Sequence, residues 1–471
     1  MSNPDQPVDL AVVGGGVSGL TSAFRLKQAG RSIRLFERAP RTGGCVKTLR
    51  KDGWTFELGP NTITDATGAI ARLCDAVGIG PRLMEARREA DRRFIYKKTA
   101  GGASASGGRG NLVLLPVSPP AFFTSNILPL RAKLRLFREP FIPPRRGGAE
   151  ESVGDFVRRR LGQPWLDYLV GPFVSGVYAG DPEKLSLRWA VKTIHGIEQE
   201  HGSLIRGALA RRKGPAPKGR LISFPEGLEE LTGALAVAVG KDLHLETEVR
   251  AIDRAPEGFV LHTRAADGSE ARLHAREVIL AVPADVAGRL LSGLAPGRGD
   301  ALAEIPYSPV VSVALGFQDP DLAARVNGFG FLVPRVEGLG LLGCLFSSSI
   351  FDNRAPAGAV GLTALVGGAT APEALAMEEE DLLAMVLREL RQALGPLPDP
   401  VFRHVARWPR AIPQYNLGHG RFVALAHSLQ QEFPGLHVAG NILHGISLSD
   451  CIQNAEQLCA SLLDRPGPGL L

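Results

Sequence analysis

Cysteine is scarce in this 471-residue chain: Cys45, Cys74, Cys344, Cys451 and Cys459 are odd in number, far apart and without a C-x-x-C pair. That spacing argues against a disulfide framework and against a zinc site, and it fits a reducing compartment. Long hydrophobic runs are missing too. No stretch of about 18 or more apolar residues occurs, so no segment reads as a membrane span. The opening, Met1 to Asp9, is polar, with neither an apolar signal core nor an Arg-rich transit pattern. The expectation is a mature chain that starts here, stays in the cytoplasm and meets a membrane only peripherally. The excess of 54 Lys and Arg over 48 Asp and Glu, a net +6, is mild. With no aromatic reading motif beside it, nucleic acid is not an expected partner. No metal cluster and no nucleophile–histidine triad stands out.

What the chain does have is a cradle near its start. The apolar run Leu10-Ala11-Val12-Val13 ends in Gly14-Gly15-Gly16-Val17-Ser18-Gly19, and an amphipathic segment from Leu20 to Ala29 follows. A second apolar run, Ser32 to Phe36, stops at Glu37. This is the strand, turn, helix and strand of a dinucleotide fingerprint, with its acid about 20 residues past the glycines. Gly14 lets the chain turn sharply, Gly16 lets the backbone approach a pyrophosphate, and Gly19 lets helix and strand pack closely. The helix N-terminus faces the phosphates with unpaired N–H groups. Glu37 accepts from ribose hydroxyls and repels a 2′-phosphate, which leaves FAD or NAD. A second glycine pair, Gly43-Gly44, directly behind the acid points to a long, extended cofactor.

The rest of the chain has the composition of an ordinary globular protein, 44% hydrophobic and 22% charged, with length for two or three domains. The expected division assigns 1–88, 222–300 and 406–471 to dinucleotide binding, 89–115 and 301–405 to a substrate-side sheet, and 116–221 to a helical region. Thr62 to Gly78 reads as a helix, His244 to Ile252 as a strand, Pro372 to Leu394 as one long helix, and Arg407 to Tyr415 as an irregular aromatic loop. Lys97 to Asn111 reads as a flexible hairpin tip. Between Ile127 and Arg138 apolar and basic residues interleave, and Arg145-Arg146, Arg206, Arg211-Arg212-Lys213 and Lys218 add charge. Such segments lie in membrane interfaces with arginines toward anionic headgroups, although a solvated helix face is the commoner explanation of any one of them.

Glu37-Arg38-Ala39-Pro40-Arg41-Thr42-Gly43-Gly44 resembles the E-R-x-x-x-x-G-G signature of the flavin amine oxidase superfamily. Further motifs, in order along nearly the whole chain, resemble its protoporphyrinogen oxidase family. They are Gly59-Pro60-Asn61-Thr62, Gly176 to Pro182 with Leu185-Ser186, Gly328 to Pro334, Arg407-Trp408-Pro409 to Tyr415, and Gly440-Asn441 to Asp450-Cys451. The resemblance implies non-covalent FAD, with Cys451 a buried thiol rather than an attachment point. It also implies a mixed α/β, p-hydroxybenzoate-hydroxylase-like fold. A Rossmann-like FAD domain would stand beside a mixed-sheet substrate domain and a helical membrane-associated domain, usually in a homodimer.

The reaction it implies is the oxygen-dependent, six-electron oxidation of protoporphyrinogen IX in haem synthesis, in three rounds that each give peroxide. The cofactor residues implied are Gly14, Gly15, Gly16, Val17, Ser18, Gly19, Glu37, Arg38, Gly43, Gly44, Gly59, Pro60 and Asn61, then Val249 at the adenine edge, Trp408, Ile446, Ser447 and Leu448. On the substrate side, Arg93 pairs with a propionate, with Arg92 its confounder. Phe329, Leu332 and Leu365 sandwich the macrocycle, Gly176 offers its carbonyl to pyrrole N–H groups, and Asn61 lies near the reacting meso carbon. Coproporphyrinogen III oxidation is the nearest alternative. Amine oxidation and a flavin-binding scaffold without turnover stand further off.

Overall fold

The computed structural model describes residues 7–98, 111–145, 147, 149–211 and 219–464. Residues 99–110 of the expected hairpin tip, and Arg146, Arg212, Lys213 and Lys218 of the basic clusters, lie outside them.

The first sheet is built on Val8–Val13, which pairs in parallel with Ile33–Phe36 on one side and with the end of Glu270–Leu280 on the other. Leu10, Ala11 and Val12 are fully buried, as a continuous apolar run covered on both faces requires. Leu243–His244 and Leu436–Val438 add parallel strands to this core, next to Ile33–Phe36 and Glu270–Leu280 respectively. The first half of Glu270–Leu280 instead joins Gly258–Ala265 and Thr247–Ala255 in an antiparallel meander. Helices Val17–Gln28, Glu229–Val239 and Leu448–Leu463 supply Leu20, Ala23, Leu26, Leu231, Leu235, Ile452 and Leu462 to one core on this sheet.

The second sheet is mixed, in the order Phe402–Pro413, Tyr307–Phe317, Val360–Gly367, Leu341–Leu345, Gly330–Leu332, Arg93–Tyr96, Leu112–Leu114. One face is covered by helix Glu379–Leu394, whose Leu382, Val386 and Leu390 meet Val311, Val313, Leu315, Phe331 and Phe346. Each sheet thus has its own core, in a mixed α/β architecture.

Four expectations are corrected in detail. The aromatic stretch from Arg407 is the end of a 12-residue edge strand, Phe402–Pro413. Its pairing slips between Ser308 opposite Ile412 and Val310 opposite Trp408, and Pro409 falls in that slip, where no ladder donor is needed. The helix expected over Thr62–Gly78 is strand Ile63–Asp65 and helix Ala69–Ala76, separated by left-handed Gly68. Left-handed Glu246 divides the strand expected from His244. A 3₁₀ turn, Pro372–Ala376, precedes Glu379–Leu394 as a separate element.

The helical region is organised on a buried charge cluster. Arg160 is fully buried and pairs with Glu139 and Glu198 at 2.6 Å each. Glu139 also accepts from Ser203 Oγ and from the backbone N–H groups of Leu204 and Ile205. Every partner is satisfied, which is the condition for burying such charges. No helix of the described residues is long and apolar enough to cross a membrane.

Candidate active site

The glycines of the cradle behave as their positions require. Gly14 has φ +105°, and a Cβ there would meet the carbonyl of Ala281. A Cβ on Gly19 would run into the carbonyl oxygen of Gly14, so helix and turn touch backbone to backbone. A Cβ on Gly16 would meet no protein atom within 4 Å. The fold therefore leaves the space beside Gly16 open.

Glu37 is fixed by two backbone donors, Gly15 N–H to Oε2 at 2.7 Å and Ala39 N–H to Oε1 at 2.8 Å. Its carbonyl accepts from Thr247 N, which brings buried Val249 two residues later to the same strand end. The second glycine pair closes onto the first: Gly43 N–H donates to Gly15 O at 2.8 Å, and Gly43 (φ +100°) and Gly44 (φ +58°) are left-handed. Arg41 braces that turn by donating to the carbonyls of Thr42, Gly44 and Val46. Arg38, next to Glu37, is exposed. The residues present fit an extended dinucleotide.

The last helix of the described chain, Leu448–Leu463, packs along helix Val17–Gln28. Arg25 and Glu456 pair between the two at 2.5 Å. Ser447 caps it, in a reciprocal box with Asp450. Ser18 and Cys451 meet at 3.5 Å near its start, so Val17 and Leu448 open two neighbouring helix N-termini. Burial pushes the Cys451 thiol up to about 12, which keeps it protonated and unreactive.

On the second sheet, directly paired residues share a face. Ile95, Leu332, Gly343, Leu365, Ser312 and Ala406 form one such row. Trp408, two residues after Ala406, lies on the same face. Its indole N–H donates to Leu58 O at 2.7 Å, and its ring lies 3.9 Å from where a Gly59 Cβ would stand. Asn61 donates to Gly59 O at 2.9 Å. The Gly59-Pro60-Asn61 turn and the sheet row therefore meet at Trp408.

Leu332 and Leu365 flank Gly343 and are only half-buried, and the Leu332 side chain covers Gly343, where a Cβ would stand 3.1 Å from its Cδ2. Gly176, in the last turn of helix Gly171–Tyr178, lies against Leu332, and a Cβ there would collide with the leucine. Carbonyls of a last turn lack intrahelical partners and remain available as acceptors. Arg93 and Arg92 point to opposite faces: Arg93 stacks over Phe329 at 5.1 Å, and Arg92 over Phe94, a core residue of the covered face, at 5.7 Å. Gln414 and Tyr415, at the end of the Arg407–Tyr415 motif but without an assigned role, and His419, which the sequence did not mark, close on the Asn441–Ser447 loop and the end of helix Gly171–Tyr178.

The flavin containing amine oxidoreductase family matches residues 17–463. The chloroplastic protoporphyrinogen oxidase of Nicotiana tabacum is 32% identical over 98% of this chain and 86% of its own length. The coproporphyrinogen III oxidase of Bacillus subtilis (strain 168) is 26% identical over 96% of this chain and 97% of its own. Among solved structures, a protein of Exiguobacterium sp. 255-15, provisionally named a protoporphyrinogen oxidase, superposes with a TM-score of 0.79. It is 25% identical, with 98% of this chain and 100% of that one covered. Agreement of this extent, end to end, shows that the chain belongs to the flavin containing amine oxidoreductase family and is an FAD-dependent oxidoreductase.

Proposed function

We propose that the chain oxidises protoporphyrinogen IX to protoporphyrin IX in haem synthesis. Three oxygen molecules take up the six electrons and six hydrogens as three hydrogen peroxide. The observation that carries this reading is one sheet face on which half-buried Leu332 and Leu365 flank Gly343 beside Trp408, with the guanidinium of Arg93 exposed over Phe329 next to it. A largely apolar macrocycle with carboxylates at one edge matches such a wall. When bound, FAD supplies hydride acceptance and hands the electrons to oxygen.

The chain's own residues hold and orient. Gly14, Gly15, Gly16, Val17, Ser18 and Gly19 cradle the pyrophosphate, with Gly43 and Gly44 as a second backbone approach. Glu37 and Arg38 serve the ribose side, and Val249 packs on the adenine. Gly59, Pro60, Asn61, Trp408, Ile446, Ser447 and Leu448 surround the flavin ring. Phe329, Leu332 and Leu365 sandwich the macrocycle, Gly176 O accepts from pyrrole N–H groups, and Asn61 stands by the reacting carbon. Arg93 keeps its N–H fork free for a propionate while its plane rests on Phe329.

Coproporphyrinogen III, with four propionates, would require more cationic surface near Arg93, and Arg92 leans away from it. Attachment to the inner face of the cell membrane is part of the same reading, and its support is an inside-out helical stretch, α-helix Leu130–Leu134 continued by the 3₁₀ turns of Arg135–Phe141. From Leu130 to Phe141 the charged Lys133 (3% exposed) and Glu139 (0%) are buried, while Leu130, Leu134, Phe137 and Phe141 (82%) are exposed at i, i+4, i+7 and i+11. Arg131, Arg135 and Arg138 run beside them. An apolar stripe outside and charges inside is the pattern of a surface made for lipid. The family resemblance supports a homodimer.

The test is Arg93→Ala. KM for the porphyrinogen should rise about tenfold or more with flavin content unchanged. Loss of flavin, or an unchanged KM, would refute the assignment.

A further inference from the structure

The loop Asn441–Ser447 joins strand Leu436–Val438 to helix Leu448–Leu463 and has no regular structure of its own. Its carbonyls must therefore find partners outside any ladder. Three side chains supply them. Tyr415 donates its hydroxyl to Asn441 O at 2.5 Å, His419 Nε2 lies 2.9 Å from Leu443 O, and Asn454 Nδ2 donates to His444 O at 3.1 Å. Tyr415 and His419 are both almost fully buried, and their rings sit 4.5 Å apart. Trp189 and Phe422 close the other sides of the imidazole at 5.8 and 5.9 Å.

A carbonyl accepts, so Nε2 of His419 carries the proton. Burial lowers the pKa of His419, which keeps the ring neutral, and raises that of Tyr415 well above the ordinary value, which keeps its hydroxyl a donor. The charged and titratable groups facing this pair are His444, Glu150, Lys192, Asp450, Tyr178, Tyr307 and Cys451.

The residue before Tyr415 reaches the other way. Gln414 Nε2 donates to Tyr178 O at 2.8 Å, at the end of the helix whose Gly176 lies on Leu332. Tyr415 O accepts from Ser186 N, and Leu185 bridges Asn416, so the segment is also fixed through its backbone. Two adjacent side chains thus grip the wall of the substrate cleft and the loop that precedes the last helix.

We propose that Tyr415 and His419 are positioning residues for the flavin-facing loop, and that Gln414 ties their segment to the substrate wall, so that this stretch sets the spacing between flavin and substrate. The inference rests on the reading that Ile446, Ser447 and Leu448 face the flavin.

The test compares holoenzymes of Tyr415→Phe, His419→Leu, His419→Gln, Gln414→Leu and Ile446→Asp. Flavin release after dilution is followed by fluorescence, the visible band of bound flavin by absorption, and KM separately. Tyr415→Phe and His419→Leu should each speed release roughly tenfold and shift the band. His419→Gln, which keeps a donor near the same place, should restore release. Gln414→Leu should raise KM with release unchanged. Wild-type release and spectrum in both Tyr415→Phe and His419→Leu, while Ile446→Asp loses its flavin, would overturn the proposal. Wild-type release in Ile446→Asp would overturn the reading of the loop on which it stands.

Discussion

Gly19 stands so close to Gly14 that a single added methyl would drive into the Gly14 carbonyl oxygen, whereas the same methyl on Gly16, three residues earlier, would touch no protein atom within 4 Å. The fold itself requires Gly19, whereas nothing in the fold forbids a side chain at Gly16.

Gly16→Val should therefore give a folded protein without flavin. Its melting temperature should equal that of wild type stripped of FAD, and its absorption should lack the flavin band. Gly19→Ala should lose about 1–3 kcal/mol of stability even before flavin is considered, because strand turn and helix must separate. A fully flavinated Gly16→Val would contradict the cradle.

Glu57 gives the protein a pH dependence of stability. Burial, partly offset by hydrogen bonds from Thr48 Oγ and Leu228 N and by the Arg354 charge, raises its pKa from 4.5 to about 7. The folded state thus holds this proton more tightly than the unfolded chain does. The favourable contribution is complete below about 4.5 and is lost as pH rises through about 7, by up to roughly 3 kcal/mol. Glu57→Gln should remove that loss. In urea unfolding the variant's advantage over wild type should grow from about pH 5 to about pH 8. A gap that stays constant with pH would contradict the raised pKa.

Phe137 and Phe141 are 63% and 82% exposed, and Phe137 stacks on Phe123 at 5.9 Å. Phe137→Ser with Phe141→Ser should leave stability and turnover in detergent within a small margin of wild type. Sedimentation with anionic vesicles should fall severalfold. Unchanged sedimentation would assign the stripe to another partner.

The cradle was legible because its signals are local. A turn, a close approach and an acid at fixed spacing are each dictated by neighbours in sequence, so Gly14, Gly16, Gly19 and Glu37 stand where reading from residues puts them. The strands of the second sheet were legible by their apolar runs. Where sequence reading erred, a long-range fact decided. Pro409 reads as a strand breaker, and only the slipped pairing with Tyr307–Phe317 makes room for it. Arg92 and Arg93 are indistinguishable in sequence and are separated only by the two faces of a sheet. His419 carries no local signal, because its partner is a carbonyl 24 residues away.

The central claim, a porphyrinogen as substrate, is tested most directly by porphyrin fluorescence. Purified yellow protein in air would be given protoporphyrinogen IX and, in parallel, coproporphyrinogen III. Faster growth of fluorescence from protoporphyrinogen IX is the predicted result. A strong preference for coproporphyrinogen III would contradict the choice of substrate, and turnover of neither with flavin bound would contradict the account as a whole.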